Sequence, residues 1–96
     1  MQEYETKRGA ERIRVKLPVQ LEDGTGITRD VSRSGVFFFT DRSVAPDMPL
    51  RFRIELQYAF PGEPVLLHCM GKVVRVEEAG ERTGVAVSIS EFRSAA

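Results

Sequence analysis

The sequence predicts an all-β fold: a small six-stranded antiparallel β-barrel with a flexible N-terminal arm. Three observations predict it. Apolar and polar residues alternate at every second position in several separate segments. Short clusters of Gly, Pro and Asp punctuate those segments. No stretch carries the 3.6-residue period of a long amphipathic helix. About six short strands read best as a closed barrel, because closure removes exposed sheet edges in a chain this small.

The 96 residues make one domain. A chain of this size buries roughly two-thirds of its unfolded surface, enough for one modest core. With 42% hydrophobic and 29% charged residues the composition is that of an ordinary globular protein. Lys and Arg total 14, Asp and Glu also 14, so the formal net charge is zero. General nucleic-acid binders carry a basic excess, so any site for a polyanion here is local. A single cysteine, Cys69, excludes an internal disulfide. No apolar run approaches the ~20 residues of a membrane span. The acidic start, Met-Gln-Glu-Tyr-Glu, lacks the pattern of a signal peptide. A cytoplasmic location is expected.

The elements follow in order. Residues 1–12 are charged and show neither period, and are expected as a mobile arm. The barrel is expected over 13–90, followed by a short C-terminal tail over 91–96. Ile13, Val15, Leu17, Val19 and Leu21 alternate with polar residues and Pro18, predicting one strand with a single buried face. Pro18 lacks an N–H, which places this strand at an edge or bulges it there. Asp23-Gly24 signals a hairpin turn, and residues 25–32 return as a weaker strand. Gly35 marks a sharp turn before a short apolar strand from Val36 to Thr40. Phe37, Phe38 and Phe39 cannot all face one way, so two are expected in the core and one outside.

Asp41 to Pro49 reads as a loop. Leu50, Phe52, Ile54 and Leu56 define the next buried face, and Tyr58 to Pro64 the next turn. In the long strand from Val65 to Glu77 the phase slips near Val73-Val74, which one bulge explains. Ala79-Gly80 closes a hairpin into a last strand with Val85, Val87 and Ile89 inside. Ser90 to Ala96 is read as a short turn of helix.

Two polar motifs flank the first strand and its hairpin. Arg8-Gly-Ala-Glu-Arg12 is an RxxxR pattern, and Asp30-Val-Ser32-Arg-Ser-Gly35 is a DxSxxG pattern. Either motif alone carries little; Arg29 and Arg33 form a second RxxxR by accident. Their combination, separated by one alternating strand and a turn, is more specific. A guanidinium is permanently charged, and its planar donors match phosphate oxygens or the O6/N7 edge of guanine. Extended, Arg8 and Arg12 are ~13 Å apart at ~3.3 Å per residue; in one helical turn they are about 6 Å apart. A carboxylate at Asp30 only accepts hydrogen bonds and suits the N–H donors of a ligand, Ser32 donates or accepts, and Gly35 permits positive φ and close backbone approach.

In that order the motifs resemble the PilZ domain, a bacterial receptor for the second messenger cyclic di-GMP. The resemblance covers about Lys7 to Ile89. It implies a six-stranded antiparallel barrel, arginines at Arg8 and Arg12 on phosphate and base, and Asp30, Ser32 and Gly35 forming the facing wall. Lys7 and Arg33 flank the motifs and add charge. The expectation is a non-catalytic receptor with cyclic di-GMP as ligand and no cofactor, relaying its signal to an effector protein because the chain carries no output domain of its own. Ordering six backbone residues costs on the order of 6–12 kcal/mol, and each charge-assisted hydrogen bond returns about 1.5–3 kcal/mol. Only a short piece around Arg8 to Arg12 is therefore expected to clamp down on binding, while residues 1–6 stay loose.

Bland readings stand beside this one. The arginines alone fit a solvated arm, and Asp30, Ser32 and Gly35 fit an ordinary turn. His68 and Cys69 lack the companions of a metal site, and as adjacent strand residues they face opposite ways. Tyr58 and Phe60 in the Pro-rich turn offer an apolar partner patch, or Phe60 plugs one end of the barrel. Rival functions are a ligand-independent PilZ-like adaptor and a single-strand oligonucleotide-binding barrel. No paired carboxylates or nucleophile–base arrangement points to an enzyme.

Overall fold

A computed structural model describes residues 11–56 and 65–95. The strands are β1 (Ile13–Arg14), β2 (Pro18–Leu21), β3 (Gly24–Val31), β4 (Gly35–Thr40), β5 (Pro49–Leu56), β6 (Val65–Ala79) and β7 (Arg82–Ala95). Six of them close a ring in the order β3-β2-β5-β6-β7-β4, with β4 returning to pair β3, and every pairing is antiparallel. The two-residue β1 adds to β3 as a seventh. The ring leaves its six members no free lateral edge. Among the described residues no helix is long and apolar enough to cross a membrane.

The interior is filled by the alternating positions. Leu17, Val19, Leu21, Val36, Phe38, Phe52, Ile54, Cys69, Val73, Val85 and Val87 form one buried cluster. Burial pushes the Cys69 thiol up to about 11, which makes it an inert core residue. The β4-to-β5 connection joins strands on opposite sides of the ring and so crosses one end of the barrel. It docks there through Asp47 N–H to Val73 O (2.7 Å) and Val73 N–H to Met48 O (2.9 Å).

The strand expected over residues 13–22 is broken. Ile13, on the predicted buried phase, is 62% exposed. Pro18 opens β2 instead of bulging it, and β2 lies inside the ring between β3 and β5. A proline at the first strand position costs no ladder bond. Across the break the backbone bonds from Val15 N–H to Arg29 O (3.2 Å) and from Thr28 N–H to Leu17 O (2.9 Å) persist, and the Thr28 hydroxyl adds two more. It accepts from Leu17 N–H (2.8 Å) and donates to the Val15 carbonyl. The first hairpin turns at Glu22-Asp23, one residue early, with Leu21 opposite Gly24.

Three further expectations are corrected. The β6–β7 ladder carries two irregularities, between Met70 and Gly71 and between Val73 and Arg75. The second leaves Val74 without a partner and 56% exposed, which is the phase slip read from the sequence. Residues 91–95 are not a turn of helix: β7 runs on, with Cys69 opposite Phe92 and Leu66 opposite Ala95. Two of the three phenylalanines are buried, Phe37 and Phe38, but only Phe38 enters the interior cluster. Tyr58 and Phe60 lie outside the described residues.

Candidate functional site

The site grows from a bulge in β3. Thr28 pairs with Phe38 and Asp30 with Phe37, so Arg29 is the extra residue. A bulge sets two consecutive residues against one partner and turns both toward the same side. This explains how neighbours in a strand bond each other: Arg29 Nε donates to Asp30 Oδ2 at 2.7 Å. β1 runs antiparallel beside this point, with Arg14 opposite Asp30. Arg12, just before β1, is thereby delivered to the other carboxylate oxygen, and its Nη1 donates to Asp30 Oδ1 at 2.5 Å.

Asp30 is 3% exposed, while the two arginines remain open to solvent. Burial alone raises a carboxyl pKa. Hydrogen bonds from Arg29 and Arg12, with their charges, outweigh it and hold Asp30 below the ordinary carboxylate range. The carboxylate therefore fixes two guanidinium groups side by side and leaves their outer N–H donors available.

Phe37 forms the floor. It is as buried as Phe38 but lies outside the core cluster, on the outer surface of the barrel. The Arg29 guanidinium stacks over its ring at 4.0 Å from the centroid, Arg75 approaches to 5.9 Å, and Phe39 meets it edge-on at 5.4 Å. Gly84 provides the seat: a Cβ there would lie 2.6 Å from the Phe37 ring. Arg75 reaches this floor from just beyond the Val74 bulge, so irregularities in two strands aim arginines at one ring.

The DxSxxG turn closes one side. Ser32 Oγ accepts from Gly35 N–H (3.1 Å) and Ser34 N–H (3.3 Å), and Ser32 N–H donates to Gly35 O (2.8 Å). The Ser32 hydroxyl is thus committed to the turn. Gly35 does not take the positive φ that the sequence reading allowed it; among the described glycines only Gly80 does. Gly35 is needed for space, since a Cβ would lie 2.8 Å from the Val87 carbonyl oxygen. Arg33 is exposed in this turn and lies off the depression.

Between these parts is an open depression of about 390 Å³, lined by Arg12, Arg29, Arg75 and segments 34–37 and 86–88. Of the residues singled out from sequence, Arg12, Asp30, Ser32 and Gly35 come together here. Lys7 and Arg8 lie outside the described residues. Sequence reasoning missed Arg29, Arg75 and Phe37. Arg29 was visible only as part of the RxxxR repeat set aside as accidental. Among the described residues no cluster of His, Cys, Asp and Glu is arranged to hold a metal ion.

No curated protein matches the sequence. Among solved structures the chain is similar to the Bacillus subtilis inhibitor of motility, MotI/DgrA, with a TM-score of 0.77 and 19% identity. That match covers 90% of this chain and 44% of MotI/DgrA, so the chain spans less than half the length of that structure, and the likeness is one of fold. The PilZ domain family model matches residues 6–96. A closed barrel with this motif-bearing rim, matched over nearly its full length, belongs to the PilZ domain family, a family that binds cyclic di-GMP.

Proposed function

We propose that the protein is a non-catalytic receptor that binds cyclic di-GMP at the Arg12–Arg29–Asp30 rim and relays binding to an effector protein. The observation that carries the reading is the buried Asp30 carboxylate holding two solvent-open guanidinium groups beside one depression. Paired guanidiniums suit phosphate oxygens or the O6/N7 edge of guanine, and a cyclic dinucleotide offers both. Arg8 and Lys7 join from the preceding segment as the family pattern suggests.

The geometry refines the roles. Each oxygen of Asp30 already accepts one guanidinium, so Asp30 is first a positioning residue for Arg12 and Arg29. For Asp30 to read a guanine directly, Arg12 must release Oδ1 and turn to the ligand. That exchange is local, and it reorders the segment that precedes β1, which gives the effector something to sense. Ser32 and Gly35 shape the wall through the turn they close.

Isothermal calorimetry of the chain with cyclic di-GMP and with cyclic di-AMP tests the reading. A saturable, salt-sensitive heat with the guanine ligand, much weaker with the adenine one, is expected. No heat with either ligand favours the adaptor reading instead.

A further inference from the structure

On the other side of Arg29 the barrel carries a second depression, of about 540 Å³. Its cationic wall is Arg14, Lys16, Arg29 and Arg82, its floor includes Ile27 and Phe39, and no carboxylate lines it. Arg14, Lys16 and Arg82 make no ion pair among the described residues. In a chain with no net charge this is a concentrated positive field.

We infer that this groove docks an acidic, extended segment of a partner protein, with an apolar side chain seated on the exposed Ile27, beside the Arg82-covered ring of Phe39. Three features select that chemistry. The wall offers only donors, so the occupant must bring acceptors of negative charge. The floor is apolar, which a bare phosphate does not use and a Leu or Phe side chain does. The groove crosses β1, β3, β4 and β7, three interstrand steps of roughly 14 Å in total, which an extended segment of about five residues spans.

Single-stranded nucleic acid fits less well. Base stacking needs an open ring face. Arg82 already covers Phe39 at 4.5 Å and Arg29 covers Phe37 at 4.0 Å. Arg82, over Phe39, makes no ion pair among the described residues and has N–H donors for a carboxylate. The inference deepens the proposed relay by giving the effector a chemistry, and it rests on that reading only for the direction of the signal. Arg29, shared by both depressions, links them physically.

The test uses isotope-labelled chain and a fluorescent peptide, Glu-Leu-Asp-Phe-Glu-Leu, with a control carrying Lys at each acidic position. Amide shifts clustered at Ile27, Phe39 and Arg82 are expected with the acidic peptide alone. Arg82→Glu and Ile27→Glu should each weaken it at least tenfold and leave the calorimetric heat of cyclic di-GMP unchanged. A heat absent already in the parent counts against the receptor reading, while the peptide shifts still decide the groove. The inference is overturned if the acidic peptide moves none of these amides, if both variants bind it as the parent does, or if oligo-dT binds the same amides more tightly. Loss of the cyclic di-GMP heat in Arg82→Glu also overturns it, because Arg82 would then belong to the ligand site.

Discussion

Phe37 and Phe38 are adjacent, equally buried and chemically identical, yet they are buried by different means. Phe38 sits inside the ring, surrounded by apolar side chains and 5.8 Å from the Phe52 ring. Phe37 sits outside the ring under guanidinium groups that are themselves exposed. Close apolar packing inside the barrel keeps water from the first; an arginine held by a buried carboxylate keeps water from the second. Burial by packing belongs to stability. Burial under a solvent-exposed charged side chain belongs to the surface where a ligand can reach it.

The contrast breaks most visibly in the core. Phe38→Ala is expected to cost about 3–5 kcal/mol, because a closed ring relaxes little around a lost ring. Urea unfolding measures it, and a loss of this size removes a large share of the roughly 5–15 kcal/mol that holds a small domain. Phe37→Ala is expected to cost less, about 1.5–3 kcal/mol, since its cavity opens to solvent and the ring above the core stays intact. Equal costs would mean that the two positions are not distinct.

Asp30→Asn is the next smaller effect, about 1–2 kcal/mol in the same measurement. It removes charge from two ion pairs, but the arginine side stays solvated and the loss is discounted accordingly. Arg29 should then leave the Phe37 ring, which the loss of the ring-current upfield shift on its side-chain resonances reports. The pH dependence carries a definite sign. The folded carboxyl sits below its ordinary value of 3.8, so the unfolded chain takes up the proton first as pH falls. This contribution is complete above that value and is lost as pH drops through the folded one. Asp30→Asn should flatten that part of the stability profile. A smaller effect still concerns Cys69: a thiol reagent at neutral pH should react only at the rate of global or local opening.

Why the fold was readable and the site only half so follows from particular residues. Val19, Leu21, Phe52, Ile54, Val85 and Val87 alternate cleanly, and alternation is what a half-buried antiparallel strand writes into sequence. Val74 broke its own pattern and so betrayed its bulge. Arg29 did not, because a polar residue on the outer face leaves no apolar phase to slip. The partnership of Arg29, Asp30 and Phe37 depends on that hidden bulge, and so it was illegible. The break before Pro18 was equally hidden, since its repair uses the hydroxyl of Thr28 eleven residues from Leu17. β7 was read as ending at Ser90 because Glu91, Arg93 and Ser94 are polar and Phe92 stands alone among them, yet β6 gives them a partner strand.

Calorimetric titration of Arg12→Ala with cyclic di-GMP, run beside urea unfolding of the same variant, tests the central claim most directly. Arg12 is exposed and bonded only through Asp30 among the described residues, so its removal should leave the unfolding midpoint within a small shift of the parent while the binding heat disappears. A parent that binds and an Arg12→Ala chain that binds with the same affinity would contradict the account.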